Sequence, residues 1–308
     1  MQPNSPAEIL KKVRRIEIRT RRMVTDAMAG AYHSAFKGRG MDFEEVREYQ
    51  AGDDVRSIDW NVTARMNRPF LKKYREEREL TLLLMVDLSA SGFFGSELVS
   101  KRELAAEVAS VLAFSAARNN DKVGLRLVTG HNELLLHPRK GRSHTLRLIR
   151  DILFYEPTGH GTNLIGALET VSQVLRRRAV VFLITDMIDG ASGRLPDPRS
   201  REDKPLFNAL DLANRRHDLS ILRLSDPREF ELPDVGVIHL EDPETGRLLR
   251  LDTSQSDVRD TFYRTARRQS QSLARGLQRL GIGALELSTV RPYEHDLRRY
   301  FERRRPQR

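Results

Sequence analysis

Asp87, Ser89 and Ser91 stand at alternate positions directly after five apolar residues, in the stretch LLLMVDLSASGFFG at residues 82–95. A carboxylate and two hydroxyls placed in this way allow three kinds of chemistry: an activated nucleophile, an oxygen-ligand metal site, or a polar turn that closes a strand. Two further positions extend the set. Thr162 lies in the glycine-flanked loop TGHGTNL, residues 158–164, just before a helical pattern, and Asp186 follows the apolar run VVFLIT. If the loops meet at one sheet edge, five oxygen-bearing side chains converge. Hard oxygen donors with few carboxylates suit Mg²⁺, with Mn²⁺ or Ca²⁺ as substitutes, because such ions take oxygen shells and Mg²⁺ keeps several waters. Asp189, three residues beyond Asp186, is an alternative ligand or a capping residue.

The nucleophile readings lack their partners. A hydrolase serine at position 89 needs a G-x-S-x-G elbow and a histidine base, yet Asp87 and Ser91 occupy the two glycine positions. A phosphoryl-accepting Asp87 wants a second aspartate two residues on, where Ser89 stands. A metal-dependent hydrolase using Asp87 is thus kept as an alternative, and the expectation is a protein that binds without turnover. No G-x-x-x-x-G-K-[ST] occurs, so ATP is not expected to bind through a P-loop. The eight histidines are scattered; His160, near Thr162, is read as a loop residue.

These residues need elements to position them. From residue 80 apolar strands alternate with helices. Strands are expected at 80–86, 123–128, 133–137, 180–185, 219–224 and 284–287, and helices at 101–118, 145–154, 164–177, 206–216, 257–280 and 296–303. Such alternation implies a doubly wound, mostly parallel α/β sheet covered on both faces. In such sheets ligands bind beyond the carboxyl ends of the strands, where strand order reverses. Asp87 and Asp186 both follow buried-type strands, so they fall where a site belongs. Residues 235–252 read as an inserted hairpin across an Asp-Pro-Glu-Thr-Gly turn. Residues 7–28 carry helical periodicity, and 38–79 form a charged stretch, giving an extension over 1–79 beside a main domain over 80–305. Within it AGDDVRSIDW groups Asp53, Asp54 and Asp59 with Arg56 and Trp60, close to Arg47. A turn with a salt-bridge network explains it more simply than a second cation site.

The net charge of +10, from 53 Lys and Arg against 43 Asp and Glu, favours acidic partners and leaves peripheral membrane contact open. Nucleic-acid binding is an alternative for the basic ends, but no binding motif accompanies them and aromatics for stacking are few. The absence of cysteine removes thiol chemistry and thiolate metal sites. No apolar stretch reaches the roughly 20 residues that span a bilayer, and a cytoplasmic protein is expected.

The order D-x-S-x-S, then Thr in a G-T-N loop, then Asp at a later strand end resembles the metal-ion-dependent adhesion site of von Willebrand factor A domains. GRGMDFEEVREYQAGDDVRSIDWNVTAR, followed by a charged run and VDLSAS, resembles the bacterial domain of unknown function 58 (DUF58) family, over roughly residues 30–305. That resemblance implies a von Willebrand factor A-like, Rossmann-type fold. It implies Ser89, Ser91 and Thr162 as hydroxyl ligands and Asp87 and Asp186 as carboxylates, acting directly or through water. It further implies an open coordination position that takes a partner's carboxylate. The partner class it implies is a MoxR-type AAA+ ATPase with its client protein, the chain serving as an adaptor or co-chaperone in assembly or maturation.

Overall fold

The computed structural model describes residues 6–24, 26–36, 41–50, 52–76, 79–96, 99–158, 161–188, 193–241 and 248–304. Asp189, His160 and the Asp-Pro-Glu-Thr-Gly turn lie outside them.

The run TLLLMVD forms strand β3 (Thr81–Asp87), and its unbroken apolar character has a direct cause. Leu82, Leu84 and Val86 enter one core and Leu83 and Met85 another, so both faces of the strand are buried. Alternation of side chains along a strand makes a continuous apolar run the signature of a sheet covered on both sides. Around β3 run β4 (Lys122–Val128), β5 (Asn132–Arg139), β6 (Val180–Thr185), β7 (Asp218–Ser225) and β10 (Gly283–Ser288). Their order is β10-β7-β6-β3-β4-β5. All pairs are parallel except the edge strand β5, which runs antiparallel to β4. From β3 the chain builds outward to β4 and β5, then returns to the other side of β3 for β6, β7 and β10. The reversal of strand order therefore lies between β3 and β6.

Two helical layers cover the sheet. Helices α4 (Lys101–Arg118), α5 (Arg142–Phe154) and α9 (Glu294–Arg303) contribute to the first core, and α6 (Leu164–Val174), α7 (Lys204–Arg216) and α8 (Ser256–Arg279) to the second. The hairpin expected at 235–252 is present as β8 (Val237–Glu241) and β9 (Leu248–Asp252), paired antiparallel.

The N-terminal region differs from its expectation in one respect. Two helices replace the single one over 7–28: α1 (Pro6–Met23) and α2 (Asp26–Phe36). The end of α1 is fixed by Arg118, whose guanidinium donates to the carbonyl of Val24 at 3.0 Å. Both helices join the first core: Val13 and Ile16 from α1, and Met28, Tyr32 and Phe36 from α2, are buried in it. The ring of Phe36 meets Phe182 of β6 edge-on at 5.7 Å. Residue 80 marks where the parallel sheet begins, but its core begins at α1. Strands β1 (Met41–Glu48) and β2 (Phe70–Glu76) form a separate antiparallel pair enclosing α3 (Trp60–Met66) in sequence.

Candidate functional site

The register sets the site. Val86 lies beside Ile184 across the β3–β6 pair, so both strands end at nearly the same level, with Asp87 the last residue of β3 and Asp186 just past the end of β6. This is the crevice in which doubly wound sheets place ligands.

Asp87 is buried, 8% exposed. One carboxylate oxygen accepts the backbone N–H of Ser89 at 2.9 Å and the other accepts the Thr185 hydroxyl at 2.7 Å. Burial and then the nearby charge of Asp186 push its pKa up to about 6, against the opposing hydrogen bonds from Ser89 and Thr185. Ser89 precedes a short 3₁₀ turn at Ala90–Phe93, and that turn brings the Ser89 and Ser91 hydroxyl oxygens to 3.0 Å. This is a hydrogen-bond length, and it is also about the separation of adjacent ligands around an octahedral ion held at ~2.1 Å.

Asp186 is positioned by unusual backbone. Met187, which follows it, has φ +62°, a left-handed conformation that non-glycine residues seldom adopt. The twist turns Ile188 N–H back onto Asp186 Oδ1 at 3.0 Å and lets Met187 N–H donate to Thr185 Oγ1 at 2.9 Å. Asp87, Ser89, Ser91, Thr185 and Asp186 then line one cavity of about 10 Å³, room for roughly one water molecule. Thr162 does not line it. It faces an adjoining cavity with Met187 and Ile188, and its hydroxyl oxygen is buried without a hydrogen-bond partner among the described residues. The Thr162 loop is tied to the sheet by Asn163 N–H, which donates to Thr129 O just past β4 at 2.8 Å. Four of the five expected ligands are thus brought together, and the fifth stands one cavity away.

Three neighbours of this cluster were absent from the sequence reading: Thr185, Glu229 and Lys101. Lys101 Nζ, 2% exposed, donates to Asp186 Oδ2 at 2.6 Å and to Glu229 Oε1 at 2.5 Å. Burial alone would lower the ammonium pKa, but the charges of Asp186 and Glu229 outweigh it and hold the group above its ordinary value. The Glu229 carboxyl is raised, burial prevailing over the attraction of Lys101. A signal for Lys101 existed: it is the first residue of an 18-residue helix capped by Ser100, and a cation there opposes the helix dipole. Next to the cluster, Phe93 and Phe94 are largely exposed. Arg102 lies over the Phe93 ring at 5.1 Å and Lys101 over Phe94 at 5.8 Å.

The residues present fit a divalent ion in chemistry: two neighbouring hydroxyls, two carboxylates and a buried threonine oxygen without a protein partner. Among the described residues no group of three His, Cys, Asp or Glu side chains is arranged to hold a metal, so an ion here depends on the hydroxyls.

The AGDDVRSIDW aspartates do structural work. Arg47 forks onto Asp53 at 2.8 and 2.7 Å, Asp54 caps the 3₁₀ turn Val55–Ser57, and Asp59 caps α3 through the N–H groups of Asn61 and Val62. Trp60 remains on the surface, 69% exposed.

A mostly parallel sheet with one antiparallel edge, and a D-x-S-x-S loop at its switch point, define a von Willebrand factor A-like α/β protein. The chain belongs to the family described as protein of unknown function DUF58, whose model matches residues 45–272. The uncharacterized protein Rv1480 of Mycobacterium tuberculosis (strain H37Rv) is 30% identical over 295 residues, covering 95% of this chain and 89% of that one. The uncharacterized protein MAV169 of Mycobacterium avium is 29% identical over 169 residues, 54% of this chain and 92% of that one. Among solved structures, the conserved hypothetical protein BatB from Bacteroides thetaiotaomicron aligns with a TM-score of 0.46 at 14% identity, over 73% of this chain and 98% of that one. The VWA domain of SpRpn10 aligns at 0.39 and 11% identity, over 71% and 93%. No helix among the described residues is long and apolar enough to cross a membrane.

Proposed function

We propose that the chain is a non-enzymatic interaction module whose switch-point site engages a partner protein through a divalent ion of the Mg²⁺ type. The observation that carries this is the Ser89–Ser91 hydroxyl pair at 3.0 Å beside Asp87 and Asp186, next to the exposed rings of Phe93 and Phe94. Ser89, Ser91 and Asp186 would hold the ion, with Asp87 behind them; Thr162 would supply a further oxygen once its loop moved in from the adjoining cavity. When bound, the ion would supply an electrophilic position for a carboxylate of the partner. The protein's own residues do the rest. Thr185 and the Ser89 N–H fix Asp87, the 3₁₀ turn presents the two hydroxyls, and the phenylalanines offer the apolar contact on which interfaces concentrate their energy.

The DUF58 resemblance makes a MoxR-type AAA+ ATPase the partner we propose, with the chain presenting a client to it in the cytoplasm. The test is binding of a purified MoxR-type ATPase to the full chain with Mg²⁺ and with EDTA. Binding should require Mg²⁺ and fall at least about tenfold, ~1.4 kcal/mol, in a Ser89→Ala, Ser91→Ala double variant. Equal binding with and without the ion would exclude the metal bridge. Turnover of phosphoesters that is lost on Asp87→Asn would exclude the non-enzymatic reading.

A further inference from the structure

Lys101 stands where little favours a lysine. Its ammonium is almost fully buried, it begins a helix whose N-terminus carries positive partial charge, and holding its long side chain in place costs rotamer entropy. Among the described residues the carboxylates of Asp186 and Glu229, at 2.6 and 2.5 Å, supply the compensating charge. The donors on the site's two aspartates also differ in kind. Asp87 is held by a backbone N–H and a hydroxyl, neutral groups compatible with a cation close by. Asp186 is held by the Ile188 N–H on one oxygen and by an ammonium on the other. A divalent ion and an ammonium repel each other, so the two compete for that carboxylate.

We propose that Lys101 is a tethered cation that closes the site in the absence of a divalent ion, and that it must release Asp186, staying with Glu229, for the ion to enter. The inference rests on the metal-site reading above. Glu229 gives the released ammonium a partner, so opening the site does not strand a buried charge, which would be strongly unfavourable. The flexible four-carbon stem permits the movement without displacing α4.

The test uses the full-length chain with Mn²⁺ followed by electron paramagnetic resonance and Mg²⁺ by calorimetry. Lys101→Met should bind either ion about tenfold tighter or better than wild type. Lys101→Met combined with Glu229→Gln leaves the net charge unchanged, so a gain there reports loss of the competitor rather than a change of overall field. This double variant also serves if the single one does not fold. Lysine acylation read by mass spectrometry follows the ammonium itself: Lys101, left with Glu229 alone, should be acylated faster at saturating Mg²⁺ than without metal. Equal affinities in all forms, with Lys101 acylated at the same rate with and without Mg²⁺, would overturn the lock and leave the metal site standing. Absence of ion binding in wild type and both variants would overturn the metal reading, and the lock with it.

Discussion

Thr185 shows how much one hydroxyl can organise. It donates to Asp87 Oδ2 and accepts from Met187 N–H, so it couples the β3 loop to the strained residue that aims Asp186. Replacing it with valine preserves shape and β propensity but leaves a buried carboxylate oxygen and a buried N–H without their partner. Each unsatisfied buried group costs about 1–3 kcal/mol, so Thr185→Val should lower unfolding stability by about 2 kcal/mol or more, read from urea midpoints. Thr185→Ser, which keeps the hydroxyl, should recover most of the loss. If valine and serine behave alike, the hydroxyl does not hold the site together. In the sequence Thr185 reads only as the last residue of the apolar run VVFLIT. Its partner comes from a strand 98 positions earlier, and spacing along the chain does not reveal such a pair. Asp87, Ser89, Ser91 and Asp186 were legible because an apolar strand followed by a polar residue marks a sheet's carboxyl edge. Glu229 was not, because turns commonly carry charge on exposed faces, and Lys101 left only the faint signal of a cation at a helix start.

At the scale of elements, helix periodicity and strand composition placed the parallel sheet well, while the N-terminal helices needed tertiary information. The basic residues of α1 make it resemble a solvated helix, yet Val13 and Ile16 are buried, and Glu17, also buried, receives Arg142 from α5 at 2.8 Å. Ile18, two positions on from Ile16, is 49% exposed, so the helix has one docked apolar face and one residue of the same type outside it. Ile16→Ala should therefore destabilise the protein by about 2–4 kcal/mol through lost burial and a cavity, whereas Ile18→Ala should change it by less than about 0.5 kcal/mol. Thermal or chemical unfolding of the two variants measures the difference. Similar losses would mean that α1 packs through a different face. The break between α1 and α2 was hidden for a related reason: the periodicity runs across it, and the bond from Arg118 to the Val24 carbonyl that closes α1 comes from another helix.

The molecule as a whole carries a buried carboxyl away from the candidate site that should shape its pH response. Asp121, at the turn between α4 and β4, is 2% exposed; one oxygen accepts Leu80 N–H at 2.9 Å and the other has no hydrogen-bond partner among the described residues. Burial, assisted by the charge of Glu79 and opposed by the Leu80 hydrogen bond and Lys140, pushes its pKa up to about 7 from an ordinary 3.8. Tyr32 of α2 is raised as well, by burial and then by the Asp121 charge, so it stays neutral across this range and adds no charge beside Asp121. The sign follows from proton counting. Between about pH 4 and 7 the folded chain retains a proton at Asp121 that the unfolded chain has released, so this group makes stability fall as pH rises. Below that window both states are protonated, and above it both are ionised, so the contribution is flat on either side. Wild type should lose up to about 1.4 kcal/mol per pH unit within the window relative to Asp121→Asn, which keeps the Leu80 acceptor but cannot ionise. Other titrating groups are common to both proteins and cancel in the difference. Urea midpoints at pH values spanning about 4 to 9 give that difference directly. Parallel curves would mean that Asp121 ionises as readily in the folded chain as in the unfolded one. A gap that opens up to about pH 7 and then holds would identify this carboxyl as a site where the fold is strained by its own charge.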